Sequence, residues 1–400
     1  MKLLLLSGNF PKKSEEEVLK NSKKSVQFAA NIFQWNLIEG FRNELNTDFY
    51  LISAPFINSY PNGYRKMFYS GKTVSSNEVY VSFFNLFGIR NFFRYHSLKI
   101  VSKYFLDVKD NNKYIIVYSP HVPLLKTACY LKKIDPSIKI ILLLPDLPQF
   151  VSLSEKKSII YKLLKPFDIK MFYKYSIRFD KYILLTKEMN NIVNVKNKPS
   201  IVVEGIVNTK TKSKKGSNSL KIISYTGTLD KAYGINHLLN AFLKIEDKNF
   251  RLIICGKGDS ENYIKKCIMK DERISFLGQV SSEESKKIQI NSTVLVNPRQ
   301  NVGLFTKYSF PSKNLEYLST GNPVIAYKLD GIPGEYSNIL FIPSDNSIKS
   351  LKEKIVYCAN LSNEELTTYR NKLHKFIKQK GIINTTKKIL NFIYSEGENE

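Results

Sequence analysis

One stretch constrains this chain more than any other, the run YSFPSKNLEYLSTGNPVIA from Tyr308 to Ala326. Pro311 suits the first turn of a helix, where its missing N–H is not needed. Leu315 and Leu318 supply an apolar face. Gly321 is placed to end the helix in a left-handed conformation, and Pro323 stops its continuation. Val324 to Tyr327 then reads as a buried strand. A loop therefore feeds a short helix whose first N–H groups carry the positive end of the helix dipole, an arrangement that attracts anions. Ser309, Ser312 and Lys313 add hydroxyls and a cation at its mouth. Glu316, one turn further in, is a carboxylate able to accept hydrogen bonds from a pair of hydroxyls. The plainer alternative is an ordinary capped helix before a core strand, with Glu316 solvated.

The rest of the chain must house that stretch. Four hundred residues suit two domains rather than one small core. A hydrophobic content of 43% and an aromatic content of 12% exclude a disordered chain. The formal charge of +26 calls for an anionic partner: nucleic acid, an anionic membrane face or a phosphorylated substrate. Cys129, Cys255, Cys267 and Cys358 lack metal-type spacing and read as reduced thiols of a cytoplasmic protein. The apolar run at Leu3 to Leu6 is too short for a signal peptide and reads as a first strand. No run is long enough to cross a bilayer, so the protein is expected to be soluble or peripheral.

Strands and helices alternate along the first half. Strands are expected at Lys2–Leu6, Asp48–Ile52, Glu78–Phe84, Tyr114–Tyr118, Ile138–Leu144, Lys181–Leu185 and Ile201–Val203. A helix over about 25–43 buries Phe28, Ile32, Trp35, Leu37 and Ile38. A second, Ile89–Phe105, sets Phe92, Phe93, Leu98 and Val101 against Arg90, Arg94, Lys99 and Lys103. That helix reads either as a surface helix with a solvated charged face or as a contact for anionic headgroups. Ser154–Arg178 is a further basic amphipathic stretch. Ligands gather at strand C-terminal ends in open α/β sheets, which singles out His121 and Asp146. Asp146 stands either near a reacting centre or as the cap of a turn. Residues 208–219, rich in Lys, Ser, Thr and Gly, read as a linker. A new set follows: strands at Leu220–Tyr225, Phe250–Cys255, Ile274–Val280 and Thr293–Asn297, with Gly227 at the first strand end, where a phosphate can approach the backbone. The segment Ile348–Tyr394 reads as helical.

With these elements in view, the phrase Phe310-Pro-Ser-Lys, Glu316-Tyr and Gly321-x-Pro-Val-Ile resembles the donor-site signature of GT-B glycosyltransferases, specifically glycosyltransferase family 4. The resemblance runs over most of residues 220–345 and is looser in the first half; it is nearest to capsule and exopolysaccharide members. It implies an α/β fold of two Rossmann-like doubly wound domains facing across a cleft: an acceptor domain at 1–207, a linker at 208–219, a nucleotide-sugar domain at 220–380, a terminal helix at 381–394 packing back on the first domain, and a frayed tail at 395–400. It implies donor contacts from Gly227, Thr228, Lys231, Arg299, Ser309, Phe310, Pro311, Ser312, Lys313 and Glu316, the last on the ribose. Gly8 and Asn9 fall on the acceptor side. Asp146, then His121, are the candidates at the reacting centre.

The implied reaction is retaining transfer of a hexose-type sugar from a nucleotide-diphosphate sugar to a lipid-linked or surface-polysaccharide acceptor, on the cytoplasmic face of the membrane. The leaving group is an anion, so the site must stabilise developing negative charge. The chain has no Asp-x-Asp motif but has Lys231, Arg299, Lys307 and Lys313 near the proposed pocket. Metal-independent transfer without a cofactor is the expectation. Three departures stand out. Tyr308 replaces the family's first glutamate. Thr228 and Tyr233 occupy places where a basic pair is usual. Pro145-Asp146 replaces a histidine. Other readings are a sugar-nucleotide epimerase of the same fold, a catalytically dead homologue, and a basic nucleic-acid-binding protein. Against the last, no recognition module is present.

Overall fold

The computed structural model describes residues 1–24, 26, 28–110, 112–118, 120–150, 159–208 and 220–395, with 159–163 entering by their helix alone. The expected linker beyond Asn208, the expected tail beyond Ser395, and Lys156 and Lys157 of the second basic stretch lie outside the described residues. The chain divides into two compact units, Met1–Ile206 with Ile382–Glu400, and Val207–Gly381.

The first unit runs β1 (Lys2–Ser7), α1 (Glu15–Asn21), α2 (Phe28–Leu45), β2 (Phe49–Ser53), β3 (Phe68–Tyr69), β4 (Lys72–Ser75), β5 (Glu78–Tyr80), β6 (Phe83–Phe84), α3 (Arg90–Val101), β7 (Lys113–Tyr118), α4 (Val122–Ile134), β8 (Lys139–Leu144), α5 (Ile159–Ser176), β9 (Lys181–Leu184), α6 (Asn190–Val193) and β10 (Ser200–Val202). Its main sheet has the order β10-β9-β8-β7-β1-β2-β5-β4 and is parallel except for the edge pair β4–β5. Leu3 to Leu6 and Ile140 to Leu144 are fully buried, as strands covered on both faces must be.

Three expectations change here. Glu78–Phe84 is not one strand. The N–H of Val81 goes to Ser53 while that of Asn85 goes to Met67, so the chain leaves the main sheet and β6 pairs antiparallel with β3. On α2 the inward face is partly polar: Asn31, Gln34 and Asn36 are buried beside Leu37, Ile38 and Phe41, and Ile32 is exposed. The amides turn inward because they bond backbone groups of Phe10, Gly8 and Ile206, which have no ladder partner there. On α3 Arg94 turns inward and Phe92 outward, while Leu98 stays inward as expected. Arg94 and Leu98 are buried, whereas Phe92 and Ile100 point to solvent. The Arg94 guanidinium donates to the Pro55 carbonyl at 2.5 Å and lies 4.5 Å over the Phe83 ring, which is how a buried charge without a carboxylate is accommodated.

The second unit runs β11 (Lys221–Thr226), α7 (Ile235–Phe242), β12 (Phe250–Cys255), α8 (Glu261–Ile268), β13 (Ile274–Phe276), α9 (Ser282–Ile290), β14 (Val294–Asn297), α10 (Ser312–Leu318), β15 (Val324–Ala326), α11 (Ile348–Ala359) and α12 (Asn363–Gln379). The sheet order is β13-β12-β11-β14-β15, all parallel. β13 stops short of Val280 because Gly278 turns at positive φ and gives its carbonyl to Gly256. The segment Ile348–Tyr394 is helical, as expected, and consists of three helices. Ser347 and Ser362 cap two of them. The third, α13 (Ile382–Tyr394), packs on α2 within the first unit, where Gly40 admits Thr386 so closely that a Cβ would overlap its hydroxyl.

Candidate active site

In the second unit the strand order reverses at β11, with β12 on one side and β14 on the other. That switch point is where an open parallel sheet leaves a crevice. Three strand ends and α10 build the site. β11 ends at Thr226, and Gly227 follows at φ +150 with its N–H given to Cys255. A Cβ on Gly227 would overlap the ε-carbon and ammonium of Lys313, so the lysine lies flat on this backbone. Gly256, after β12, approaches equally closely: a Cβ there would strike the Gly227 carbonyl.

α10 is placed as the sequence suggests. Pro311 sits just before it, in the capping position, and Gly321 ends its turn at φ +83. Tyr317 anchors it. Its hydroxyl accepts from the Thr226 N–H at 2.9 Å and donates to the Thr226 carbonyl at 3.1 Å, tying the helix to the end of β11. Asn314, fully buried, accepts from Asn297 at the end of β14 at 2.6 Å. With both ends of the contact fixed, Lys313 has little freedom. Burial pulls its ammonium below the ordinary lysine range; the Glu316 carboxylate opposes that and the Arg299 charge adds to it. A cation held partly desolvated beside a second cation is a site that an anion would stabilise.

Arg299, after β14, is that second cation. Its guanidinium donates to Ser309 Oγ at 2.8 Å and stands 4.6 Å over the Phe305 ring and 5.6 Å over that of Tyr233. Ser309 in turn donates to the Phe305 carbonyl. Glu316 accepts from the Gln289 side chain at 2.6 Å, and the same amide donates to Thr226 Oγ1 at 2.8 Å. Lys286, one turn earlier on α9, donates to Ser319; burial lowers its pKa and Glu316 is its countercharge. Gln289, Lys286 and Asn297 carry no motif, and only their positions on elements flanking β11 would have pointed to them; Tyr317 stands in the Glu316-Tyr pair, but its tie to Thr226 is set by the fold.

The structure thus joins Gly227, Arg299, Ser309, Lys313 and Glu316. The other donor candidates have different settings. Thr228 accepts at its carbonyl from the Tyr225 hydroxyl. Lys231 is exposed on a short turn, with its N–H held by Asp259. Ser312 is exposed. Phe310 turns inward and packs 5.2 Å from the Tyr336 ring, so its part is to seat the loop rather than to reach outward.

In the first unit the strand ends carry a different set. The ring of Phe56, after β2, lies against Gly8, where a Cβ would overlap it, and His121 stacks on Phe56 with centroids 4.1 Å apart. Burial, with the charges of Arg94 and Arg90, lowers the His121 pKa to about 3, so the imidazole is neutral at ordinary pH. Asp146 is exposed after β8. Asn9, placed by its sequence position on the acceptor side, is fully buried. Its side chain accepts from Ser7 and donates to Tyr80, so it braces β1 and β5 instead of facing outward. Among the described residues no group of three or more His, Cys, Asp or Glu could hold a metal ion, and no helix is long and apolar enough to cross a membrane.

Against known proteins, residues 220–360 match the family model "Glycosyl transferases group 1". No curated protein matches the chain. Among solved structures it is similar to HepE from Anabaena, in complex with UDP, with a TM-score of 0.63 at 12% identity over 99% of this chain and 100% of that one. Sucrose-phosphate synthase from Thermosynechococcus elongatus gives 0.66 at 14% identity over 98% and 99%. The trehalose-phosphate synthase of Burkholderia xenovorans, in complex with glucose-6-phosphate, gives 0.63 at 10% identity over 98% and 100%. Residues 220–360 of the second unit are therefore similar to glycosyl transferases group 1, and the chain as a whole has the GT-B fold.

Proposed function

We propose that the protein is a retaining glycosyltransferase of the family 4 kind. It moves a hexose-type sugar from a nucleotide-diphosphate donor to a lipid-linked or surface-polysaccharide acceptor, in capsule or exopolysaccharide synthesis at the cytoplasmic face. One observation carries most of this reading: the partly desolvated Lys313 ammonium lying on the Gly227 backbone at the sheet's switch point. A diphosphate seated there meets Lys313 and the Arg299–Ser309 pair, which neutralise the charge that develops as the sugar leaves. Charge stabilisation is thereby assigned to protein cations. Glu316, oriented by Gln289, takes the ribose hydroxyls. The UDP bound in HepE makes UDP-sugars the first donors to try. In the first unit, a neutral His121 and exposed Asp146 are assigned to the acceptor hydroxyl, and the chain's excess of basic residues to an anionic inner leaflet.

A thermal-shift and turnover screen over nucleotide sugars tests this, with product anomers read by NMR. Lys313→Ala is expected to lower kcat/KM by about 100-fold, the scale for removing one charge-stabilising donor, and Glu316→Ala by at least about tenfold, the scale for losing a hydrogen bond to a charged group. Normal binding and turnover by both variants would refute the donor site. Acceptor-independent conversion of the nucleotide sugar would replace transfer by epimerisation.

A further inference from the structure

The outward turn of Phe92 on α3 exposes a surface that needs an occupant. Ile89, Phe92, His96 and Ile100 are spaced by three and four residues, the pattern of a buried stripe, yet all face solvent, with Phe92 68% exposed. Their rings do not stand alone. Phe92 meets Phe93 at 5.5 Å, Phe93 meets Phe84 on β6 at 5.2 Å, and Phe84 meets Phe68 on β3 at 5.1 Å. Phe68, Phe84 and Phe87 are exposed as well. A contiguous aromatic patch of this kind marks an interaction site rather than a random surface.

Charge says what covers it. Residues 60–105 contain seven Lys or Arg against one carboxylate, Glu78; with Arg94 buried and Lys66 paired with Glu17, the cations left to this surface are Arg65, Lys72, Arg90, Lys99 and Lys103. Glu78 is already paired with Arg42. Asp168 on α5 is the further acid whose carboxyl feels Arg90. A shallow recess beside Ile100 is lined by Lys72, Thr73, Ser82 and Ser97, a cation and hydroxyls of the kind a phosphate headgroup takes. Phenylalanines projecting between cations match the boundary of an anionic bilayer, with rings in the acyl border and ammonium groups among the headgroups.

We infer that the β3–β6 ribbon and the outer face of α3 form a membrane-docking surface that inserts Phe84 and Phe92 into anionic lipid. This names the partner of the first unit in the proposed function. It differs from attraction by charge alone because the inserted rings hold on when salt screens the charges.

The test is co-sedimentation of the full chain with phosphatidylcholine vesicles with and without phosphatidylglycerol, over a salt series. Nucleotide binding is read separately without vesicles. Wild type is expected to prefer the anionic vesicles and to retain part of its binding at high salt. Phe84→Ser/Phe92→Ser, both surface changes, should weaken binding at least about tenfold at every salt concentration. Arg65→Glu/Lys103→Glu should remove mainly the salt-sensitive part. Equal retention on neutral vesicles, no retention at all, or wild-type binding by the phenylalanine pair variant would each overturn the inference, the second pointing to a protein partner. Any of these with nucleotide binding intact leaves the donor site standing. Loss of nucleotide binding by wild type is a failure of the donor reading instead.

Discussion

The two units solve the same geometric problem with opposite chemistry. Each has a parallel sheet whose strand order reverses at a first strand, β1 in one and β11 in the other, and each places a glycine directly after it. Gly227 receives an ammonium, with a guanidinium after the neighbouring β14. Gly8 receives an aromatic ring, with an imidazole stacked on that ring. Where charge must be stabilised, the glycine makes room for a cation. Where a neutral surface is wanted, it makes room for a ring, and the histidine there is kept uncharged. The same backbone device thus admits two kinds of side chain, which under the proposed function would serve two kinds of recognition, and what distinguishes them is the side chain delivered from the next element.

The sharpest way to break this comparison is to fill the cation's place. Gly227→Ala puts a methyl where Lys313 lies and asks for a φ of +150, which an L side chain rarely adopts. Donor-dependent kcat/KM is expected to fall by about 100-fold, of the order seen on losing a charge-stabilising group. The thermal midpoint should fall with it. A variant that keeps its rate would show that Lys313 and Gly227 touch without acting together.

A smaller effect is expected from the residue that aims Glu316. Gln289 is fully buried, and its amide links Glu316 to Thr226. Gln289→Met keeps the volume and removes the donor. KM for the donor should rise by about tenfold, near 1.4 kcal/mol, with kcat changed little, as for a lost hydrogen bond to a charged group. The loss should shrink for a 2′-deoxyribose donor if Glu316 reads the sugar of the nucleotide. An equal loss with both donors would reduce Gln289 to a packing role.

Much of the second unit was legible in the sequence because its signals are local. The proline before α10, the glycine after it and the apolar strands each act within a few residues. The same is true of the order of strands and helices in both units. What could not be read was set by distant partners. Arg94 is buried because the Pro55 carbonyl and Phe83 ring happen to face it, so a charged residue sits where periodicity puts an apolar one. Asn9 faces inward because Ser7 and Tyr80 engage it. Gln289 joins the site only because α9 packs beside β11. Side chains whose orientation is decided by a hydrogen bond across the fold leave no trace in spacing.

The smallest expected effect lies on the neutral side of the comparison. The folded His121 pKa of about 3 is well below the ordinary 6.5, so the unfolded chain binds a proton that the folded chain refuses. By linkage, stability is highest above the unfolded value and declines as pH falls from there toward the folded one. Partial exposure of the ring discounts the full value, leaving on the order of 1–2 kcal/mol at about pH 5. His121→Phe keeps the stack on Phe56 and cannot take the proton. Chemical denaturation of the two proteins should therefore give similar stability at neutral pH, and the variant should be the more stable in acid. Parallel pH curves would mean that His121 is protonated in place and that the first unit tolerates a charge there, which would erase the chemical contrast between the two glycine-centred sites.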